Sequence, residues 1–158
     1  PNHTHADFAV FVGGVHLVFS SEEFMSESES DEKDDDHEAH GHKHHPYFHL
    51  HDGVGHVLHM HKPGLTLREF FDSIAFRFEG PGWRMFVNGT EVPFDLGYSF
   101  KDMDTILFTN SSEDVVARDQ LQQLTGDACL YSKTCPWRGK PPTENCIADP
   151  AVPCVIPE

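Results

Sequence analysis

Three H-x-H pairs carry the chemistry this chain could do: His3/His5, His49/His51 and His59/His61. On a β-strand, residues i and i+2 point to one face roughly 7 Å apart, so each pair can lean two imidazoles onto one ion. Neutral imidazole suits Zn²⁺ and Cu²⁺, with Ni²⁺ a weaker fit. Copper or zinc is therefore the expected cofactor. Asp7 and Asp52 could ligate, or accept the N–H of a ligating ring. His16 and His56 stand singly as possible additional ligands, although a lone histidine is more often a solvated polar side chain. His37, His40, His42, His44 and His45 crowd the segment HEAHGHKHH; they suit a diffuse metal-scavenging brush, or a site shared with a neighbouring chain. Any binding should weaken below about pH 6, because imidazoles protonate near ~6.5.

Which histidines share a face depends on strand register. The segment HLHDGVGHVLHMH (49–61) predicts a hairpin turning at Asp52-Gly53-Val54-Gly55. A four-residue loop sets His51 against His56 and sends His59 and His61 to the opposite face. A three- or five-residue loop sets His49 against His59 and puts 49, 51, 59 and 61 on one face. The odd loop is preferred, because Leu50, Leu58 and Met60 are then free to line a core. His56, near the turn, is then the odd one out. A first strand lying alongside would add His3 and His5.

The other elements follow from pattern. FAVFVGGVHLVF (8–19) reads as two strands around Gly13-Gly14, with Phe8, Val10, Val12, Val15, Leu17 and Phe19 as one apolar face. Thr66-x-x-Glu69 is a capping box, and Leu67, Phe70, Phe71 and Ile74 form an apolar stripe; the spacing predicts a helix over 67–76. WRMFVNGTEVPF (83–94) is a strand, an Asn-Gly turn and a short return. YSFKDMDTILFT (98–109) ends in a strand headed by a turn at Lys101–Asp104. Ser111, Ser112 and Glu113 can cap a second helix bearing Ala117, Leu121 and Leu124, with Gly126 at its C′ position.

Charge narrows the function classes. Acids outnumber bases 26 to 11, for a net −15, which argues against nucleic acid and suits cations. Ten acids and one lysine lie between Glu22 and Glu38. Asp31, Asp34, Asp35 and Asp36 could attract Ca²⁺ diffusely, although the D-x-D-x-D-G loop is absent. No apolar run of 18 residues exists, so no membrane span is expected. No signal peptide is visible, and a chain beginning at Pro1 reads as a mature or trimmed product, from which an upstream export signal or anchor could have been removed. Cys129, Cys135, Cys146 and Cys154 are spaced C-x5-C-x10-C-x7-C in a proline-rich tail. That pattern reads as two disulfides of undetermined pairing. Sequons at Asn2, Asn88 and Asn110 add candidate glycosylation sites. Cysteines and sequons together point to an extracellular or cell-surface home.

The order of elements, with FVGGV (11–15), GLTLREFF (64–71), FVNGTEV (86–92) and KDMDTILF (101–108), resembles the β-grasp (ubiquitin-like) fold, and within it the small sulfur-carrier proteins. The resemblance covers roughly residues 7–109. It implies an α+β architecture: a β-grasp mixed sheet with one packed helix, a His-rich hairpin insertion, a second C-terminal helix and a disulfide-rich tail. The expected divisions are 1–109 with an acidic, His-rich insertion at 21–46, a helix at 110–126, and a Pro/Cys-rich tail at 127–158. Sulfur-carrier activity is not implied, since those proteins work through a C-terminal diglycine and this chain ends CVIPE; nor is that of the ferredoxin branch, since residues 1–128 hold no cysteine. HTH (3–5) together with HLHDGVGHVLHMH also resembles a group of uncharacterised exported prokaryotic proteins.

No G-x-S-x-G, P-loop or H-E-x-x-H occurs. The expected function is thus a non-catalytic, exported protein that captures or passes on copper or zinc. The alternatives are a structural subunit of an extracellular filament or surface assembly, built from copies of itself and locked by metal, tail exchange and disulfides, and a metalloenzyme.

Overall fold

In the computed structural model of the chain, the described residues are 3–25 and 45–140, the side chain of His51 excepted. Asn2, the acidic run beyond Met25 with Asp31, Asp34, Asp35 and Asp36, His37, His40, His42, His44, Cys146 and Cys154 lie outside them.

The fold is α+β. Among the described residues seven strands run β1 (Thr4–Val12), β2 (Val15–His16), β3 (Phe48–His51), β4 (Val54–Met60), β5 (Arg84–Val87), β6 (Thr90–Val92) and β7 (Thr105–Thr109). Three α-helices complete it: α1 (Leu67–Ser73), α2 (Asp114–Gln122) and α3 (Ala128–Tyr131). The strands form one mixed sheet in the order β3-β4-β1-β7-β5-β6, with β2 also on β1. β1 and β7 are parallel, and the other pairs are antiparallel. One flank of β1 is therefore shared: β4 pairs with Thr4–Asp7, and β2 pairs with Phe11 and Val12.

The first hairpin turns at Gly13-Gly14 as expected, pairing Val12 with Val15. Phe8, Val10 and Phe19 are buried, but Val15, expected beside them, is 62% exposed at the hairpin's tip. Val15 stands directly beside the Gly13-Gly14 turn, opposite Val12, at the far end of β1.

The second hairpin reaches the expected register by an unexpected route. Its loop has two residues, since His51 pairs with Val54 across Asp52-Gly53, both in the left-handed region. Further from the turn His49 pairs with His59, and Phe48 with Met60. Between these pairs Leu50 alone faces residues 55–58, so a bulge in β4 supplies the change of parity that an odd loop was expected to supply. Gly55 makes the bulge possible: a Cβ there would lie 2.4 Å from the carbonyl carbon of Phe19.

The capping box forms, with the Thr66 backbone N–H donating to Glu69 Oε2 at 2.6 Å. Helix α1 ends at Ser73 rather than 76, because Ala75 turns left-handed (φ 55°). Leu67, Phe70, Phe71 and Ile74 are buried against Phe8 and Val10 of β1, Leu58 and Met60 of β4, and Ile106 and Phe108 of β7. Truncating one such Phe to Ala typically costs about 3–5 kcal/mol. The Asn88-Gly89 turn docks onto the head of β7. Asn88 Oδ1 accepts the Thr105 N–H (3.0 Å), and Asn88 Nδ2 donates to Asp104 (2.8 Å). Buried Asp104 also accepts the Tyr98 hydroxyl at 2.5 Å; burial, then that bond, pushes the phenol up to about 12. Of the sequons, Asn88 is thus spent on the fold, and Asn110 Oδ1 accepts the Gly13 N–H.

The opposite face of the sheet is also covered. Ala117, Leu121 and Leu124 pack on Ala9, Phe11, Phe86 and Leu107, as the stripe predicted. Gly126 is not left-handed, contrary to its expected capping role. The tail expected from 127 instead begins as folded structure. Ala128, Cys129, Tyr131 and Cys135 are buried, and Cys129–Cys135 is a disulfide.

Candidate functional site

Along the outer face of β1, alternate residues change character from one end to the other. Phe11 and Ala9 lie under α2, Asp7 meets the loop before α3, and His5 and His3 follow. On β4 the same face carries Val57 and His59, with His61 just past the strand. Strand register then sets His5 opposite His59 and His59 opposite His49.

Five histidines from three adjacent strands meet as a result. The His3 and His61 rings are 4.4 Å apart between centroids, His5 and His59 4.9 Å, and His49 and His61 4.9 Å. His3–His5 at 6.4 Å and His49–His59 at 6.5 Å close the group. His5 and His59 are fully buried, and none of the five is more than 9% exposed. This differs from the solvated polar face that a row of strand histidines ordinarily forms.

Helix α3 covers the inner pair. Tyr131 stands edge-on to His59 at 4.6 Å and tilts over His5 at 5.6 Å. Four attachments hold the segment that carries it. Asp7 accepts Thr125 Oγ1 (2.7 Å) and the N–H groups of Asp127 (2.8 Å) and Ala128 (3.0 Å). His56 Nε2 meets Asp127 Oδ2 at 2.7 Å, Arg138 donates to Asp127 Oδ1 at 2.6 Å, and the disulfide closes residues 129–135. Arg138 first, and His56 as well, hold the Asp127 carboxyl below its ordinary value. Burial holds that of Asp7 above its own, against the pull of its three donors.

The remaining candidates are placed elsewhere. Asp7 shares the histidine face but spends its oxygens on the 125–128 loop. Asp52 is exposed in the hairpin turn. His56 is carried to Asp127 by the bulge, and His16 stacks on Phe11 at 4.5 Å on the exterior. Partial burial, then the neighbouring His56, lowers the His16 pKa. His45 lies beside the cluster. Its carbonyl is 3.3 Å from His49 Nδ1, and its own pKa is lowered by burial first. His51 ends β3, opposite Val54.

Sequence reasoning missed Tyr131, Ser132 and Asp102. Ser132 Oγ lies 2.7 Å from His5 Nδ1 and 2.5 Å from Asp102 Oδ1. No local signal marks them. Asp102 reads as part of a turn, and Tyr131 and Ser132 as filler between cysteines.

Five imidazoles form a donor set suited to borderline metals such as zinc and copper. Two rings on one tetrahedral ion, with metal–nitrogen bonds near 2.0–2.1 Å, put their centroids about 5 Å apart. The closest ring pairs here are of that scale. Among the described residues, no group of three or more His, Cys, Asp or Glu side chains is placed so as to hold a metal ion, so binding would require the rings to turn.

Comparison with protein-family models, with curated proteins and with solved structures finds no match to this chain. Among the described residues, no helix is long and apolar enough to cross a membrane.

Proposed function

We propose that this chain is a non-catalytic transition-metal-binding protein, taking up copper or zinc through its strand-borne H-x-H histidines and acting outside the cell. The observation that carries this reading is the burial together of His3, His5, His49, His59 and His61 on one sheet face. Packing alone gives little reason to gather five titratable rings in a protected place, where apolar side chains would serve without desolvating polar nitrogens. A metal ion uses neutral imidazoles and repays their burial. His51 completes the third pair in sequence. The net charge of −15 favours cation capture, and an intrachain disulfide suits an oxidising compartment.

The β-grasp resemblance belongs to the same reading. What supports it is the parallel pairing of β1 and β7 at the centre of the sheet, with α1 following one hairpin and preceding another. The β3/β4 hairpin that carries the histidines would then be an addition to that frame.

Elemental analysis of protein purified without a nickel column tests the function. About one equivalent of zinc or copper is expected at neutral pH after loading. Replacing His49, His59, His3 and His61 with Ala should abolish tight binding. Failure of the wild-type chain to retain either metal would end this reading. Loss of binding on deleting residues 37–45 alone would move the site to that His-rich segment.

A further inference from the structure

The proton positions in the cluster can be worked out from the groups that touch it. Ser132 has one hydroxyl proton and two neighbours: Asp102 Oδ1 at 2.5 Å and His5 Nδ1 at 2.7 Å. An ionised carboxylate only accepts, so the hydroxyl proton goes to Asp102. Ser132 Oγ must then accept, and His5 Nδ1 must donate. The same Asp102 oxygen accepts the His5 backbone N–H at 2.9 Å, which ties ring and backbone to one anchor. At the far side of the cluster, His49 Nδ1 faces the His45 carbonyl at 3.3 Å, and a carbonyl also only accepts. Two rings from non-adjacent strands are thereby set in the same tautomer.

We infer that Ser132, anchored by Asp102, is a positioning residue that fixes His5 as the Nδ1–H tautomer, so that Nε2 carries the lone pair of the neutral ring and is the nitrogen through which His5 would ligate a metal ion. The His45 carbonyl does the same for His49. Metal-bound histidines commonly have the outer N–H held by a carboxylate, carbonyl or water and the inner nitrogen on the metal, and here a hydroxyl backed by a carboxylate takes the acceptor's place. The inference deepens the proposed function by assigning the ligating atom, but the tautomer it asserts is a property of the metal-free chain. Ser132 lies within the ring closed by Cys129–Cys135, and its N–H donates to the Ala128 carbonyl at 3.0 Å, so the fold fixes its place before any ion arrives.

The test is a long-range ¹H–¹⁵N correlation spectrum of the metal-free full chain, at a pH where imidazole is neutral. His5 and His49 should both show the Nδ1–H pattern. Ser132→Ala should convert His5 to a mixture, leaving His49 unchanged, and Ser132→Thr should restore it. A wild-type His5 protonated at Nε2, or a His5 pattern indifferent to Ser132→Ala, overturns the inference. Zinc titration of the same samples separates the two claims. A 10–100-fold loss of affinity in Ser132→Ala, recovered in Ser132→Thr, supports the positioning role. Undiminished zinc affinity in Ser132→Ala refutes it. If wild-type protein shows the tautomer and binds neither zinc nor copper, the proposed function fails and the assignment of the tautomer stands.

Discussion

Replacing Gly55 with Ala is a direct probe of how the histidines are brought together. A Cβ at 55 would lie 2.4 Å from the Phe19 carbonyl carbon, 2.5 Å from Ser20 N and 2.7 Å from Phe19 O. Non-bonded carbons rest about 3.5–4.0 Å apart, so the two backbones must separate by about 1 Å. All the obstructing atoms are main chain, and no side-chain rotation relieves the contact. Gly55 is not left-handed, so the whole cost is steric. Overpacking of this kind costs about 1–3 kcal/mol. At about 2–4 °C per kcal/mol for a chain of this size, Tm should fall by about 2–12 °C. The separation falls within the bulge that sets His49 against His59, so the His59 ring resonances should shift as well. Gly14→Ala is the control. Its φ is 80° and its Cβ would meet nothing within 4 Å, so it should cost only the backbone strain of about 1–2 kcal/mol and leave the His59 resonances in place. Thermal and urea unfolding, with histidine NMR, read both effects. A Gly55→Ala protein with wild-type stability and unshifted His59 signals would refute the close passage of β4 over residues 19–20, and with it the account of the register.

Other perturbations have equally definite outcomes. Asp7→Asn turns an amide N–H₂ toward backbone N–H donors and should cost about 1–3 kcal/mol. Because burial raises the Asp7 pKa, this residue's contribution to stability is present below the ordinary carboxylate value and is lost as pH rises through the raised folded value. Urea midpoints across that window should slope less in Asp7→Asn than in wild type; equal slopes would contradict the assignment. For Asp127, whose folded pKa is lowered, the sign reverses. Its contribution is present above the ordinary value and is lost as pH falls through the folded one, and Arg138→Gln should shrink that loss. Replacing Cys129 and Cys135 with Ser opens a short ring, costing about 2 kcal/mol by chain entropy, and should speed solvent exchange of the His5 and His59 ring protons under Tyr131. Zinc affinity, followed by competition titration, should fall as pH is lowered, because protons compete with the metal for imidazole nitrogen, and a pH-independent affinity would point away from histidine ligands.

Much of the fold was legible in the sequence because it rests on local codes. The Gly13-Gly14 and Asn88-Gly89 turns, the Thr66/Glu69 box and the Ala117, Leu121, Leu124 stripe each report a backbone preference or an apolar period. The His3/His5 and His59/His61 pairs likewise require only strand alternation to put each pair on one face. Three things were decided by tertiary structure. The register of His49 with His59 comes from a bulge that passes over residues 19–20, a contact no window around the hairpin contains. The cover over His5 and His59 comes from α3, whose docking depends on Asp7 lying more than a hundred residues before the amides it accepts. The orientation of His5 comes from Ser132 and Asp102, which approach it only when β1, the turn before β7 and the disulfide ring converge. Residue types and alternation therefore determined that imidazoles could pair. Whether they met and how deeply they were buried depended on long-range contacts, because those quantities are set by what packs across a face and not by what lies along a strand.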